Sequence, residues 1–198
     1  GTKGTLDEVL REALQCNDSL TIHKHLLQIY TASSKNEEAQ ELLQKMLSRY
    51  KVDEVYLLGG TFYMKLGKLE EARALLQRAL KSLPKHEHVG LISKFAQMEF
   101  KYGEVERGRS MFDSVLANYP KRTDLWQVYI DLTIKQGDIQ GVRNLCMKAT
   151  TSKFPPKKMK VFFKKWLDFE KEHGDESSVQ DVRERAVKYV ERNSVAQN

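Results

Sequence analysis

The sequence predicts an all-α protein, a right-handed α-solenoid of about five helical hairpins, and three observations predict it. First, a glycine recurs ahead of a charged amphipathic stretch, at Gly67, Gly103, Gly137 and Gly174, spaced 36, 34 and 37 residues apart. Second, apolar residues between these markers follow the i, i+3, i+4, i+7 spacing of an amphipathic helix, and strand alternation is nowhere sustained. Third, a small or apolar residue followed by Arg recurs at Ala72-Arg73, Gly108-Arg109, Val142-Arg143 and Val182-Arg183, and proline closes the units at Pro84, Pro120 and Pro155. One hairpin cannot bury its apolar face alone. Stacked copies make a continuous core in which each repeat touches its neighbours.

The elements follow in order. LDEVLREAL, from Leu6, reads as an orphan second helix over residues 5–16, with Thr5 and Glu8 at capping-box spacing. Repeats are expected at 18–50, 51–84, 85–120, 121–155 and 156–192, with a tail at 193–198, in one domain. AQELLQKML, from Ala39, is an early second helix without the glycine marker. In the next repeat Leu75, Leu76, Ala79, Leu80 and Leu83 form a single stripe, and in 124–135 Leu125, Trp126, Tyr129, Ile130, Leu132 and Thr133 do the same. Each marker glycine is expected to supply a left-handed C-cap that stops the first helix and turns the chain back. Proline then ends the second helix. The last helix, DVRERAVKYVERN, gathers Val182, Ala186, Tyr189 and Val190 on one stripe and charge elsewhere, as a terminal cap requires.

Composition narrows the function. At 40% hydrophobic and 30% charged the chain is ordinary for a folded protein. No apolar run approaches the roughly 18 residues of a membrane span, and GTKGTLDE is no signal peptide, so neither secretion nor membrane insertion is expected. The missing initial Met points to a piece of a longer protein. Cys16 and Cys146 lie far apart, with no CxxC and no His at ligand spacing, which predicts neither a zinc site nor a disulfide framework and suits a reducing intracellular compartment. A net charge of +6 permits nucleic-acid contact without demanding it. No phosphate loop, nucleophile elbow or HExxH is present, so no enzyme, metal or cofactor is expected. Glu70, Glu71, Asp138 and Asp175 are placed in first turns of helices, where the helix dipole favours carboxylates.

Tyr56, Gly60, Tyr63, Ala72, Ala79 and Pro84 fall at the intervals of a tetratricopeptide repeat, with small residues where two helices cross. Later repeats resemble the half-a-tetratricopeptide (HAT) variant, whose first helix carries two aromatics, an apolar residue and then Glu. Phe163, Trp166, Leu167 and Glu170 match throughout, Ile92, Phe95, Ala96 and Glu99 match loosely, and Trp126, Tyr129 and Ile130 are followed by Thr133 in place of the Glu. The run from KHEHVGLISKF to IKQGD, followed by PPKKMKVFFKKWLDFEKEHG, resembles the C-terminal helical domain of the ribosomal RNA processing protein five family over residues 85–192, and the earlier repeats resemble it more loosely. That resemblance implies a non-catalytic protein-interaction scaffold of the nucleolus, acting in early pre-ribosome assembly and pre-rRNA processing. The implied partners are pre-ribosomal assembly proteins, small nucleolar ribonucleoprotein and pre-rRNA, with no membrane and no small-molecule substrate. The OB-fold RNA-binding repeats that precede the helical domain in that family have no counterpart in these residues.

The strongest candidate contact surface is KFPPKKMKVFFKKW, residues 153–166. Lys153, Lys157, Lys158, Lys160, Lys164 and Lys165 surround Phe154, Phe162, Phe163 and Trp166 there, and Lys121 and Arg122 extend the charge from another loop. Lysines near a helix start neutralise phosphates and aromatics stack on bases, which makes direct RNA binding the alternative function. The plainer reading is a wet lysine face over a packed aromatic stripe, with Phe163 and Trp166 inside. Tyr56, Trp126 and Tyr129 occupy the repeat's packing slots rather than a ligand box. His86 and His88 read as helix-start residues, and His23 and His25 face opposite sides of one helix. A HAT-type homodimer of another RNA-processing complex is a third reading.

Overall fold

The computed structural model describes residues 8–11 and 19–196. Residues 8–11 are helical; Thr5 of the expected capping box, Cys16 and the rest of the orphan helix lie outside the described residues. Residues 19–196 form a succession of helices, α1 Ser19–Ala32, α2 Asn36–Arg49, α3 Asp53–Lys65, α4 Leu69–Ser82, α5 Lys85–Tyr102, α6 Val105–Asn118, α7 Thr123–Lys135, α8 Ile139–Thr151, α9 Pro156–His173 and α10 Glu176–Val195. No strand occurs among the described residues, as the helical periodicity predicts.

The apolar residues of these helices share one face, and in several the ends carry charges that suit the helix dipole. α2, α3 and α4 open on Glu37 and Glu38, Asp53 and Glu54, and Glu70 and Glu71, and close on Arg49, Lys65 and Lys81, each end complementing the helix dipole. In α4, Ala72, Leu75, Leu76 and Ala79 are buried while Glu71, Gln77 and Arg78 face water. Asp138 and Asp175 lie one position earlier than expected and act as N-caps. Asp138 accepts the Gly141 N–H, and Asp175 with Ser178 forms a reciprocal capping box.

Two compact units divide the chain, residues 1–103 and 104–198. In the first, α1 packs on α2, α2 on α3, α3 on both α4 and α5, and α4 on α5. In the second, α6 packs on α7, α7 on both α8 and α9, α8 on α9, and α9 on α10. Each unit is thus a run of neighbour-to-neighbour helical packing, the pattern of a tetratricopeptide-like repeat. Its core is aromatic and aliphatic: Tyr56, Leu43, Met46 and Phe95 are at most 1% exposed in the first unit, and Phe112, Ile130, Met159 and Phe162 in the second. Close approach depends on small residues. A Cβ on Gly59 would stand 2.6 Å from Leu75 of α4, and one on Gly60 would stand 2.7 Å from the Phe95 ring of α5.

The marker glycines divide into two kinds. Gly67 and Gly137 have φ of 74° and 73° and supply the expected left-handed turn. Gly103 and Gly174 do not: their φ values are −118° and −97°, and the expectation of a left-handed cap is corrected there. Glycine is needed at these two for space. A Cβ would lie 2.3 Å from Glu99 Oε2 at Gly103 and 2.2 Å from Glu170 Oε2 at Gly174.

Those two carboxylates are the HAT-position glutamates, each about 1% exposed. Glu99 accepts two hydrogen bonds from Arg73 of α4, from Nε at 2.9 Å and Nη2 at 3.1 Å. Glu170 accepts the same fork from Arg143 of α8, at 2.8 and 3.0 Å, and a third bond from Trp166 Nε1 at 3.3 Å. The recurrent Arg is therefore the partner of the next first helix's Glu, and such bidentate pairs fix geometry as well as charge. Where Thr133 replaces Glu, the clamp is lost. The Thr133 hydroxyl donates to the Tyr129 carbonyl at 2.8 Å. Arg109 turns instead to Asp138 at 2.8 Å and Glu106 at 3.4 Å, leaving its Nε buried without an acceptor among the described residues.

The last helix departs from its expected stripe at one position. Val182 is buried and Ala186 and Tyr189 are half-buried, but Val190 is 63% exposed. At 100° per residue Val190 lies about 80° round from Val182, on the solvent side of the helix.

Candidate functional site

The candidate basic residues separate into three groups. Lys121, Lys153 and Lys158 line one cavity of about 570 Å3 in the second unit, together with Ser152, Phe154, Pro155, Tyr189 and Asn193. Lys157, Lys160 and Lys164 are exposed along the outer face of α9, three and four residues apart and so on one stripe. Arg122 and Lys165 are neutralised within the fold. Arg122 forks onto Asp124 at 3.0 and 2.8 Å, which raises the guanidinium's affinity for its proton and holds the Asp124 carboxyl below its ordinary range. Lys165 of α9 bonds Asp131 of α7.

Local structure fixes the cavity's walls. The loop carrying Lys121 is tied down by Trp126, whose indole Nε1 donates to the Pro120 carbonyl at 2.9 Å. The loop carrying Lys153 is anchored by Phe154, which is buried against Phe162 of α9 with ring centroids 5.2 Å apart. Ser152 Oγ donates to the Lys148 carbonyl at 2.7 Å. Pro155 and Pro156 then start α9 without competing N–H donors, Pro156 at the first helical position. Lys158 follows in the first turn. Tyr189 and Asn193 come from α10, and Tyr189 leans on Phe163 with centroids 5.7 Å apart.

No acidic residue lines this cavity, and none of its three lysines is held in an ion pair among the described residues. Three ammonium groups around one concavity raise the local positive potential, and low-dielectric walls focus it. The arrangement suits an anion. Tyr189 and Asn193 are not legible as site residues in the sequence, although KYVERN sets them four apart on one helical face, because nothing local says which loops that face meets.

The aromatics of the candidate stretch are largely packing. Phe154, Phe162 and Trp166 are buried, and Phe163 is half-buried against Tyr189. Tyr56, Trp126 and Tyr129 are core residues, and Tyr129 lies flat on Phe112 at 4.9 Å while donating to Asp113 at 2.9 Å. Burial and that hydrogen bond push its hydroxyl far above an ordinary tyrosine's pKa. His88 bonds the Leu83 carbonyl at 2.8 Å, and His23 sits between the Ser19 carbonyl and the Tyr50 hydroxyl. Among the described residues no group of three or more His, Cys, Asp or Glu is placed to hold a metal ion, and no helix is long and apolar enough to cross a membrane.

The first unit carries a different concavity of about 450 Å3 between its first helices. Leu27 of α1 and Leu57, Leu58 and Phe62 of α3 supply its apolar floor, with Lys24 and Glu54 paired at one side. Its chemistry suits a peptide surface more than a phosphate.

Comparison with known proteins agrees with this construction. Over 197 residues the chain is 44% identical to mouse "Protein RRP5 homolog", covering 99% of this chain and 11% of that protein. It is also 44% identical to "rRNA biogenesis protein rrp5" of Schizosaccharomyces pombe, over 96% of the chain and 11% of the relative. The chain thus spans about a tenth of the length of these relatives. The resemblance drawn from residues 85–192 holds, and it reaches through the earlier repeats as well. Among solved structures, PilW, described as a widely conserved type IV pilus biogenesis factor, shares the fold with a TM-score of 0.52 at 15% identity, over 87% of this chain and 79% of PilW. Residues 12–198 match the family model described as "Suppressor of forked protein (Suf)", and the chain belongs to that family.

Proposed function

We propose that this chain is a non-catalytic helical-repeat scaffold serving ribosomal RNA biogenesis, and that it acts in the nucleolus by holding protein partners within an early pre-ribosome. The observation that carries the reading is 44% identity over nearly the whole chain to relatives named for RRP5 and rRNA biogenesis. The fold supports it physically. Stacked hairpins locked by the Arg73–Glu99 and Arg143–Glu170 forks present preorganised side chains, which lowers the ordering cost of binding. The groove over Leu27, Leu57, Leu58 and Phe62 offers an apolar floor for a partner segment. Partners of this kind are pre-ribosomal assembly proteins and the small nucleolar ribonucleoprotein machinery.

A second reading, direct contact with pre-rRNA, is favoured by a specific observation: Lys121, Lys153 and Lys158 converge on one cavity from three separate elements. The two readings are compatible, since a scaffold can hold protein with one unit and RNA with the other.

The test is a segment exchange. Replacing the matching segment of Schizosaccharomyces pombe rrp5 with this chain should restore growth and the normal pattern of rRNA precursors. A hybrid expressed at the normal level that leaves precursors unprocessed would refute the assignment.

A further inference from the structure

We infer that the cavity between Lys121, Lys153, Lys158, Tyr189 and Asn193 is a binding pocket for one phosphate-bearing nucleotide of single-stranded RNA. The inference rests on the assignment to rRNA biogenesis and gives the second unit its ligand.

Charge is the first argument. The cavity between α1 and α3 pairs Lys24 with Glu54, another beside α10 mixes Glu191 with Lys188 and Arg192, and a third opposes Glu71 to Arg78. The cavity at Lys153 combines three lysines with no acid among the described residues. Holding three ammonium groups together without a counter-charge costs self-repulsion that an anion relieves.

Hydrogen bonding is the second. Asn193 Nδ2 is closed off from water and has no acceptor among the described residues. A buried amide donor without a partner is destabilising. Asn193 lines the cavity, so an anion seated there would have this unsatisfied amide donor beside it.

Shape and extent argue for RNA over a phosphorylated side chain. A half-buried tyrosine forms one wall, backed by Phe163, and gives a base an aromatic surface beside the phosphate. Lys157, Lys160 and Lys164 continue the positive charge along α9 for seven residues, about 10 Å of helix. A charge track of that length matches a polyanion rather than a single phosphate.

The test uses the 198-residue chain and a fluorescent hexauridylate, with anisotropy followed across a salt series. K153E/K158E should weaken binding by more than about tenfold and flatten the salt slope by about 0.7 for each phosphate no longer neutralised. K157E/K164E, with the same change of charge outside the cavity, should weaken it by about threefold. Asn193→Leu should lower affinity with the salt slope unchanged, which a merely electrostatic face would not show. Equal losses in the two double variants, or no loss in either, would overturn the pocket. So would a phosphoserine peptide that binds more tightly than the oligonucleotide, which would make it a phosphopeptide site. The segment exchange separates the two inferences. Restored rRNA maturation with unaltered RNA binding by the pocket variants sinks the pocket alone, whereas pocket-dependent RNA binding with failed exchange sinks the functional assignment alone.

Discussion

At the scale of the residue, the molecule is organised by two buried glutamates and the arginines that hold them. Glu99 and Glu170 are almost wholly out of water, where an unpaired carboxylate would be costly, and each is matched by a fork from the preceding second helix. Arg109 tests the rule, because its repeat carries Thr133 instead. Arg73→Ala should destabilise the chain by about 3–5 kcal/mol, since it takes the bidentate counter-charge away from the buried Glu99 carboxylate. Arg109→Ala should cost about 2 kcal/mol less, since its partners Asp138 and Glu106 retain access to water. Urea unfolding of both variants reads the difference.

The same geometry sets a pH dependence. Arg143 first, then Ser178 and Trp166, hold the Glu170 carboxyl below its ordinary range against the opposing effect of burial. A group depressed in the folded state stabilises fully above its unfolded pKa and loses that contribution as pH falls through the folded value. Wild-type stability should therefore fall more steeply than that of Glu170→Gln between about pH 5 and pH 3, as read by thermal melts across that window. Cys146 adds no titration at neutral pH, because burial pushes its thiol up to about 12 and keeps it protonated.

At the scale of the element, the sequence is informative where one helix decides its own fate and silent where several meet. The stripes of α4 and α7 are legible because the 3.6-residue period maps directly onto burial, and Leu75, Leu76, Leu125, Trp126 and Tyr129 are all inside. The split among the marker glycines is not, because glycine looks the same whether it serves a positive φ, as at Gly67, or room for a distant carboxylate, as at Gly103. Val190 follows Tyr189 directly in the sequence, yet the 100° turn between them carries it to solvent. The site was partly legible. Lys153 and Lys158 stand out by composition, but that Arg122 and Lys165 are spent on Asp124 and Asp131 depends on side-chain contacts that composition does not show. α10 supplies the far wall of the cavity, so its start matters. Asp175→Ala removes one half of the capping box and should cost about 1 kcal/mol, with a matching loss of helical signal on melting.

At the scale of the whole molecule, the excess of positive charge is modest, and its placement carries more meaning than its sum. A net +6 spread evenly would steer weakly. Gathering Lys121, Lys153 and Lys158 at one cavity, with Lys157, Lys160 and Lys164 on the helix beside it, concentrates it on the second unit. The first unit keeps an apolar groove with one Lys24–Glu54 pair and Lys65 at its edge. A chain of this family, similar to a tenth of each RRP5 relative, thus carries two chemically distinct surfaces, one suited to protein and one to phosphate. The measurement that bears most directly on the scaffold reading is a tagged recovery of this chain from nuclear extract, run in parallel with and without nuclease and read by mass spectrometry. The account predicts that pre-ribosomal assembly proteins remain bound after the RNA is destroyed. Their complete disappearance with the RNA would contradict it.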